Sequence, residues 1–193
     1  MAEIKSTMER VMERVAQMGA ATPLELDYET QEKEGMRLAA CFMRDEITSF
    51  DSTLDALSLK KQTPFKKGIA TTLLRNLSLP RNMEHLRTAE KATSGLMVLS
   101  GADAQISAVL AEVRQILSRY QQHRDQLRKQ LEEAMRQQLQ QAMEARAPGT
   151  TMTLAPTMHP QFQEEWQRIV TELDSQYGRA LDHHKEGIRA LLA

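Results

Sequence analysis

Residues 124–145 read RDQLRKQLEEAMRQQLQQAMEA. No Gly or Pro interrupts them, and nearly every residue is a strong helix former. The segment is a helix, and the pattern runs upstream without a break to Ala102, giving one helix of about 45 residues. Its apolar stripe is thin. Leu127, Leu131, Met135, Leu139 and Met143 are each four positions apart, so the stripe turns about 40° around the helix at every step. A left-handed coiled coil needs an average spacing near 3.5, so this stripe makes a poor two-stranded zipper. It predicts packing against successive neighbours, with Ala134 and Ala142 widening it. The covering surface is the C-terminal helix, another subunit, or both.

The upstream half of the same helix is better patterned, through Ile106, Val109, Leu110, Val113, Ile116, Leu117 and Tyr120. Downstream, Arg146-Ala-Pro-Gly stops it. Residues 146–160, RAPGTTMTLAPTMHP, hold three of the six prolines and read as an extended connector with Met152 and Leu154 as anchors. A last helix is predicted over 160–192. Phe162, Trp166, Val170, Leu173, Tyr177, Ala180, His184, Ile188 and Leu191 line one face of it. Such a helix folds back antiparallel on the long one or packs in an oligomer.

The N-terminal region, residues 1–101, is also helical by pattern. In EIKSTMERVMERVAQM, Ile4, Met8, Val11, Val15 and Met18 form one stripe that Gly19 ends. A helix this short is marginal alone in water, so it needs a surface to dock on. Residues 20–29 read as a linker in which Leu24, Leu26 and Tyr28 alternate, which suits a short extended piece. A second helix is predicted over 30–58, with Met36, Ala40, Met43, Ile47, Phe50, Leu54 and Leu57 on one side and acidic residues on the other. Thr63-Pro64 predicts a helix start, running to Asn76. Ser78-Leu79-Pro80 predicts another, running to Leu99 before Ser100-Gly101. The fold class is all-α: a helical bundle with one long helix, divided at 101/102.

The opening MAEIKSTMERVMER resembles the start of a set of uncharacterised bacterial helical proteins. The resemblance covers about fifteen residues. It implies a bacterial cytoplasmic origin and carries no catalytic residues over.

Charge is unevenly distributed. The formal net charge is −1, but residues 1–58 are acidic and residues 59–91 basic. Lys60, Lys61, Lys66, Lys67, Arg75, Arg81, Arg87 and Lys91 stand in the second block against Glu84 and Glu90 alone. Two opposed blocks predict either internal pairing or two different partners. As a phosphate-binding surface the basic block would act by counterion release. Phe65 is its one aromatic residue, so stacking on single-stranded bases is disfavoured. The two helices around it could mimic a helix-turn-helix, but the joint Leu77-Ser78-Leu79-Pro80 lacks the usual Gly.

The remaining chemistry is sparse. One cysteine, Cys41, lies between Ala40 and Phe42 and reads as a small buried hydrophobe in a reducing compartment. Twelve Met and 4% aromatic residues predict a core of aliphatic side chains and Met. No apolar run has the length of a membrane span, and no signal peptide opens the chain. His183 and Glu186 have ligand spacing on a helix but need completion from elsewhere, and His85, His123 and His159 have none. No Gly-x-Ser-x-Gly, phosphate loop or Cys beside His is present. The sequence therefore points to a cytoplasmic, non-enzymatic structural or interaction protein without a cofactor. It associates with itself or a helical partner through Met8, Val11, Val15, Leu127, Leu131, Met135, Leu139 and Met143. The alternative is a nucleic-acid-binding accessory protein acting through the 60–91 block.

Overall fold

A proline stands at the start of the first helix whose span is described. In the computed structural model, which describes residues 8, 23–101, 103–146 and 155–192, α1 (Pro23–Met43) begins where the ring's fixed φ suits the first helical position. It is followed by α2 (Asp51–Asp55), α3 (Leu59–Asn76), α4 (Met83–Leu99), α5 (Ala104–Arg146), a 3-10 turn (Pro156–Met158) and α6 (Pro160–Leu191). All regular structure among the described residues is helical.

The two C-terminal helices keep the boundaries their sequence announces. Asp103 caps α5, its Oδ1 accepting from the N–H of Gln105 at 2.9 Å and of Ile106 at 3.1 Å. Pro160 opens α6, and α5 spans 43 residues. Within α6, Leu181 is buried where the spacing suggests Ala180, which is exposed. From Phe162 the buried line steps by four to Trp166 and Val170, by three to Leu173, and by four again to Tyr177 and Leu181.

Four N-terminal boundaries differ from the pattern, one of them the start of α4, which lies at Met83 with the Asn82 side chain accepting from the His85 N–H, not at Pro80. Residues 23–29 are helical instead of extended. The helix expected over 30–58 ends at Met43, because Asp45 takes a left-handed conformation (φ 62°) and turns the chain back. That turn brings Phe50 onto Phe42, ring centroids 5.0 Å apart, and lets Gln62 Nε2 donate to the carbonyls of Leu54 (3.0 Å) and Leu57 (3.2 Å). Finally, α3 begins at Leu59 and carries Pro64 inside it. The proline forgoes one helical hydrogen bond. Burial of Pro64 and an ion pair from Lys61 to Asp27 hold the preceding turn helical.

Helices α1 and α3 run side by side in the same direction, since Asp27 meets Lys61 and Glu32 meets Lys67. At their crossing stand two glycines. A Cβ on Gly35 would lie 2.1 Å from the Phe65 carbonyl oxygen, and one on Gly68 2.0 Å from that of Glu32. The backbones therefore touch, with no room for any side chain at either position. Helix α4 crosses the C-terminal ends of this pair, Gly95 sitting against Phe42 and Leu73.

Helices α4, α5 and α6 zigzag. Ser107 Oγ reaches Met97 Sδ at 3.2 Å, and Gln121 Nε2 reaches Met83 Sδ at 3.5 Å, so α4 lies antiparallel along the first half of α5. Pairs Glu112–His184 (3.4 Å) and Tyr120–Asp174 (2.6 Å) lay α6 antiparallel along the other side. One core runs through all of this, from Ala39 and Ile69 through Leu96 to Leu110, Leu117, Leu181 and Ile188. Helix α4 starts opposite Gln121, so its side of α5 is exhausted there. The rest of α5, from 125 to 146, pairs with the start of α6 and the 3-10 turn. This segment of α5, about 33 Å long, is the arm, and in the register set by Tyr120–Asp174 the start of α6 and then the 3-10 turn lie along its first part. Met135 and Phe162 are buried in the arm but outside the main core.

Candidate interaction surfaces

The eight cations of the basic block divide into two groups. Three are engaged by the acidic region. Lys61 Nζ lies 3.1 Å from Asp27, Lys67 Nζ lies 3.4 Å from Glu32 and 5.3 Å from the centre of the Tyr28 ring, and Lys91 pairs with Asp45 over the Phe42 ring. These pairs are largely exposed, so each contributes little to stability. The other five, Lys60, Lys66, Arg75, Arg81 and Arg87, carry no ion pair among the described residues. They do not make one compact patch. Lys60 and Arg75 stand at opposite ends of α3, about 22 Å apart along its axis, Arg81 is in the α3–α4 joint and Arg87 is on α4.

The arm carries the thin stripe. Met135 is 5% exposed, and Leu127, Leu131, Leu139 and Met143 are half-buried. Extending the α5–α6 register from Tyr120–Asp174 brings Phe162 and the 3-10 turn alongside Met135. The rotation of the stripe is thus met by a succession of neighbours within the chain, α6 first and the turn after it. On α6 the facing residues Trp166, Ile169 and Val170 are likewise half-buried. Met8, the described residue of the N-terminal segment, is helical and 75% exposed. Val11 and Val15 lie outside the described residues, as do the connector anchors Met152 and Leu154.

A polar cluster fixes the root of the arm. Tyr120 is fully buried, and its hydroxyl donates to Asp174 Oδ1 at 2.6 Å. Burial, then the Asp174 hydrogen bond and charge, push the Tyr120 phenol up to about 12. Tyr177 packs edge-on to Tyr120, ring centroids 5.5 Å apart. Arg124 donates from Nη1 to the Arg81 carbonyl at 2.5 Å and lies 5.8 Å from the centre of the Trp166 ring. One guanidinium thereby ties the α3–α4 joint, α5 and α6 together.

Chemistry elsewhere is limited. The Cys41 thiol is pushed up, first by its hydrogen bond with Glu46 and then by burial, so the nucleophilic thiolate is disfavoured. Arg44 donates to Glu46 at 2.6 Å and lowers that carboxyl to about 2. His184 is half-buried against Glu112, whereas His183 and Glu186 are exposed. Among the described residues no three His, Cys, Asp or Glu side chains converge as metal ligands. A shallow depression on the solvent face of α6, lined by Glu164, Arg168, Thr171, Glu172, Ser175 and Arg179, belongs to one helix and encloses nothing.

One surface has no counterpart in the sequence reading. The parallel helices α1 and α3 both begin at the same end of the molecule. There Leu24 is 80% exposed, Leu59 82%, and Tyr28 also reaches solvent. The signal available in sequence was Thr22-Pro23, the same dipeptide as Thr63-Pro64. Read as a helix start, it would have put Leu24 and Tyr28 one turn apart on a single helix.

Residues 51–190 match a family of unknown function, DUF6657. The chain belongs to that family. No curated protein and no solved structure matches it. The DUF6657 span runs from the first residue of α2 almost to the end of α6, and so takes in the basic block and the arm. Helix α1 lies outside it, as does the opening MAEIKSTMERVMER. No described helix is long and apolar enough to cross a membrane.

Proposed function

We propose that this protein is a non-enzymatic association module, one that assembles with itself through amphipathic helices. The observation that carries the reading is the arm. Two antiparallel helices bury only the line of contact between them, so Leu127, Leu131, Trp166 and Val170 stay half open along it, and Leu139 and Met143, also half-buried, lie past the start of α6. Stable helical bundles close such flanks with further helices, and a second chain supplies them. The single cysteine, unable to form a disulfide within the chain, suits a reducing compartment, the cytoplasm. Size-exclusion chromatography with light scattering tests the reading. A particle of two or more times 21.9 kDa is expected, and Leu139→Lys with Met143→Lys should reduce it. A chain that stays at 21.9 kDa at every concentration, and retains no helical partner, overturns it.

A second reading rests on Lys60, Lys66, Arg75, Arg81 and Arg87, the cations without acidic partners among the described residues. Spread over α3 and α4, they suit the repeating phosphates of a nucleic-acid backbone better than a single anion. Fluorescence anisotropy with labelled duplex DNA and RNA at low salt should show binding that falls steeply as salt rises. Replacing Lys60, Lys66 and Arg87 by Ala should weaken it on every sequence alike. No binding at low salt removes this reading.

A further inference from the structure

We infer that residues 44–50 are a hinge through which two copies of this chain exchange α1, each α1 seating on the α3 of the other copy. The inference rests on the self-association reading and adds a second joint to the arm. It begins with a conflict between sequence and structure. Met36, Ala40, Met43, Ile47, Phe50, Leu54 and Leu57 step by four and three in turn, the 3.5-residue repeat of helices that pair. Neither Gly nor Pro stands anywhere between Gly35 and Pro64. The pattern therefore specifies one helix, yet the chain breaks at Asp45 into α1 and α2. The break uses a left-handed conformation (φ 62°) at a residue with a Cβ, a conformation that glycine adopts without penalty. The broken form also leaves the repeat half used. Gln31, Gly35, Ala39 and Phe42 are the buried residues of α1, while Met36, Ala40, Met43 and Ile47 stay half-buried. Local pattern and closed fold disagree at one short segment, as expected of an element with two arrangements.

The second arrangement is one helix from Pro23 to Asp55, about 50 Å long. Gln62 holds its α2 end to the start of α3 through the Leu54 and Leu57 carbonyls. With the hinge straight, α1 points away from its own α3, because only the turn at 44–50 brings the two side by side. The seat that α1 vacates is selective. At Gly68 it takes a helix whose backbone can touch, and α1 brings Gly35 to that crossing, with Asp27 and Glu32 spaced to meet Lys61 and Lys67. The occupant that reproduces all of these contacts is α1 of a second copy. Twofold exchange regains them in both copies and releases two left-handed turns. The two straight helices then pass each other at the hinge, where Met43 and Ile47 give each an apolar face for the other.

The test links α1 to α3 covalently in the full chain. Glu32→Cys and Lys67→Cys, in a Cys41→Ser background, are joined by a short bis-maleimide after incubation at high protein concentration, and mass is read after denaturation. A link within one chain gives 21.9 kDa, and exchange gives twice that mass. The same linkage is then made with Asp45→Gly and with Asp45→Ala. Both lose the ion pair with Lys91, so the difference between them reads the backbone alone. Gly favours the left-handed turn and Ala the straight helix, so the ratio of exchanged to closed chains should rise about tenfold or more from Gly to Ala. Covalent dimers that increase in that order, and with protein concentration, are the expected result. Links confined to single chains with Asp45 and with Ala alike, or an equal dimer fraction in the Gly and Ala variants, overturn the exchange. If light scattering of the unlinked wild type then still gives two or more chains per particle, self-association through the arm stands. If it gives one, both readings fall.

Discussion

Gly35 on α1 and Gly68 on α3 face each other's backbones. The space a methyl group would need at Gly68 is taken by the Glu32 carbonyl, 2.0 Å from the ideal Cβ position, and the relation is reciprocal at Gly35, where the Phe65 carbonyl lies at 2.1 Å. Real Cβ atoms do not approach backbone oxygen so closely. The closeness also allows Cα–H to carbonyl contacts, which recur at helix–helix interfaces. In sequence a glycine inside a helix reads only as a cost of about 1 kcal/mol relative to Ala. Here that cost is offset by a helix contact in which the two backbones meet.

Gly68→Ala should therefore destabilise the protein, against the ordinary direction of Gly→Ala in a helix. The obstacle is backbone rather than a mobile side chain, so α1 and α3 must move apart along their whole contact. Overpacking of this sort costs about 1–3 kcal/mol or more. Urea unfolding followed by circular dichroism would show a lower midpoint, with Gly35→Ala behaving alike. A midpoint that rises in either variant would mean the helices do not touch there.

The control lies on α6. A Cβ at Gly178 or Gly187 meets nothing within 4 Å, so Ala there gains helix propensity with no steric penalty. Each substitution should stabilise by about 0.5–1 kcal/mol. A loss of stability at Gly178 in the assembled protein but not in the dissociated chain would place a partner's surface against that side of α6.

Alkaline pH should loosen the root of the arm through Tyr120. Its folded phenol is raised to about 12 from the usual 10, by burial first and Asp174 second. Above pH 10 the unfolded chain loses this proton while the folded one retains it, so the contribution is whole below pH 10 and drains away toward pH 12. Tyr120→Phe should remove that part of the alkaline slope. At neutral pH it should cost about 1.5–3 kcal/mol, the range for a hydrogen bond to a charged acceptor. Thermal melts of both proteins between pH 7 and 11 would show the two curves converging. Parallel curves would mean that Tyr120 ionises as freely folded as unfolded.

How much of this was legible in the sequence depends on where each signal sits. The long helix and the last one could be read almost to the residue, because Asp103 and Pro160 start them and a Pro- and Gly-containing connector follows the first. The stripe from Leu127 to Met135, stepping by four, meets α6 and then the 3-10 turn. The end of α1 was hidden because neither Gly nor Pro marks it: Asp45 supplies the left-handed turn, and its ion pair with Lys91 is 46 residues away in sequence. Proline misled at Pro64 and was overlooked at Pro23, since the same dipeptide can open a helix or be tolerated inside one whose first turn is pinned by tertiary contacts. The parallel course of α1 and α3, and with it the exposed Leu24 and Leu59, depends on the Gly35–Gly68 approach. No period or composition encodes that approach.

The arm should be the least stable part of the fold until something covers it. Its own buried residues, Met135 and Phe162, are separate from the core that runs from Ala39 to Ile188, so opening the arm does not require opening that core. Elements with few buried apolar contacts exchange amide hydrogens through local opening at a cost well below the global one. In dilute protein, amides of 125–146 and 160–169 should exchange much faster than those of 106–120 on the same helix. Met135→Ala, which removes a buried side chain typically worth about 2–5 kcal/mol, should speed exchange in the arm and leave 106–120 almost unchanged. Raising the protein concentration should slow arm exchange if a second chain closes the open flanks of Leu127, Leu131 and Trp166. Protection along the arm equal to that of 106–120, and independent of concentration, would mean that α6 and the 3-10 turn suffice to stabilise it. The search for a partner should then move to the α1/α3 end.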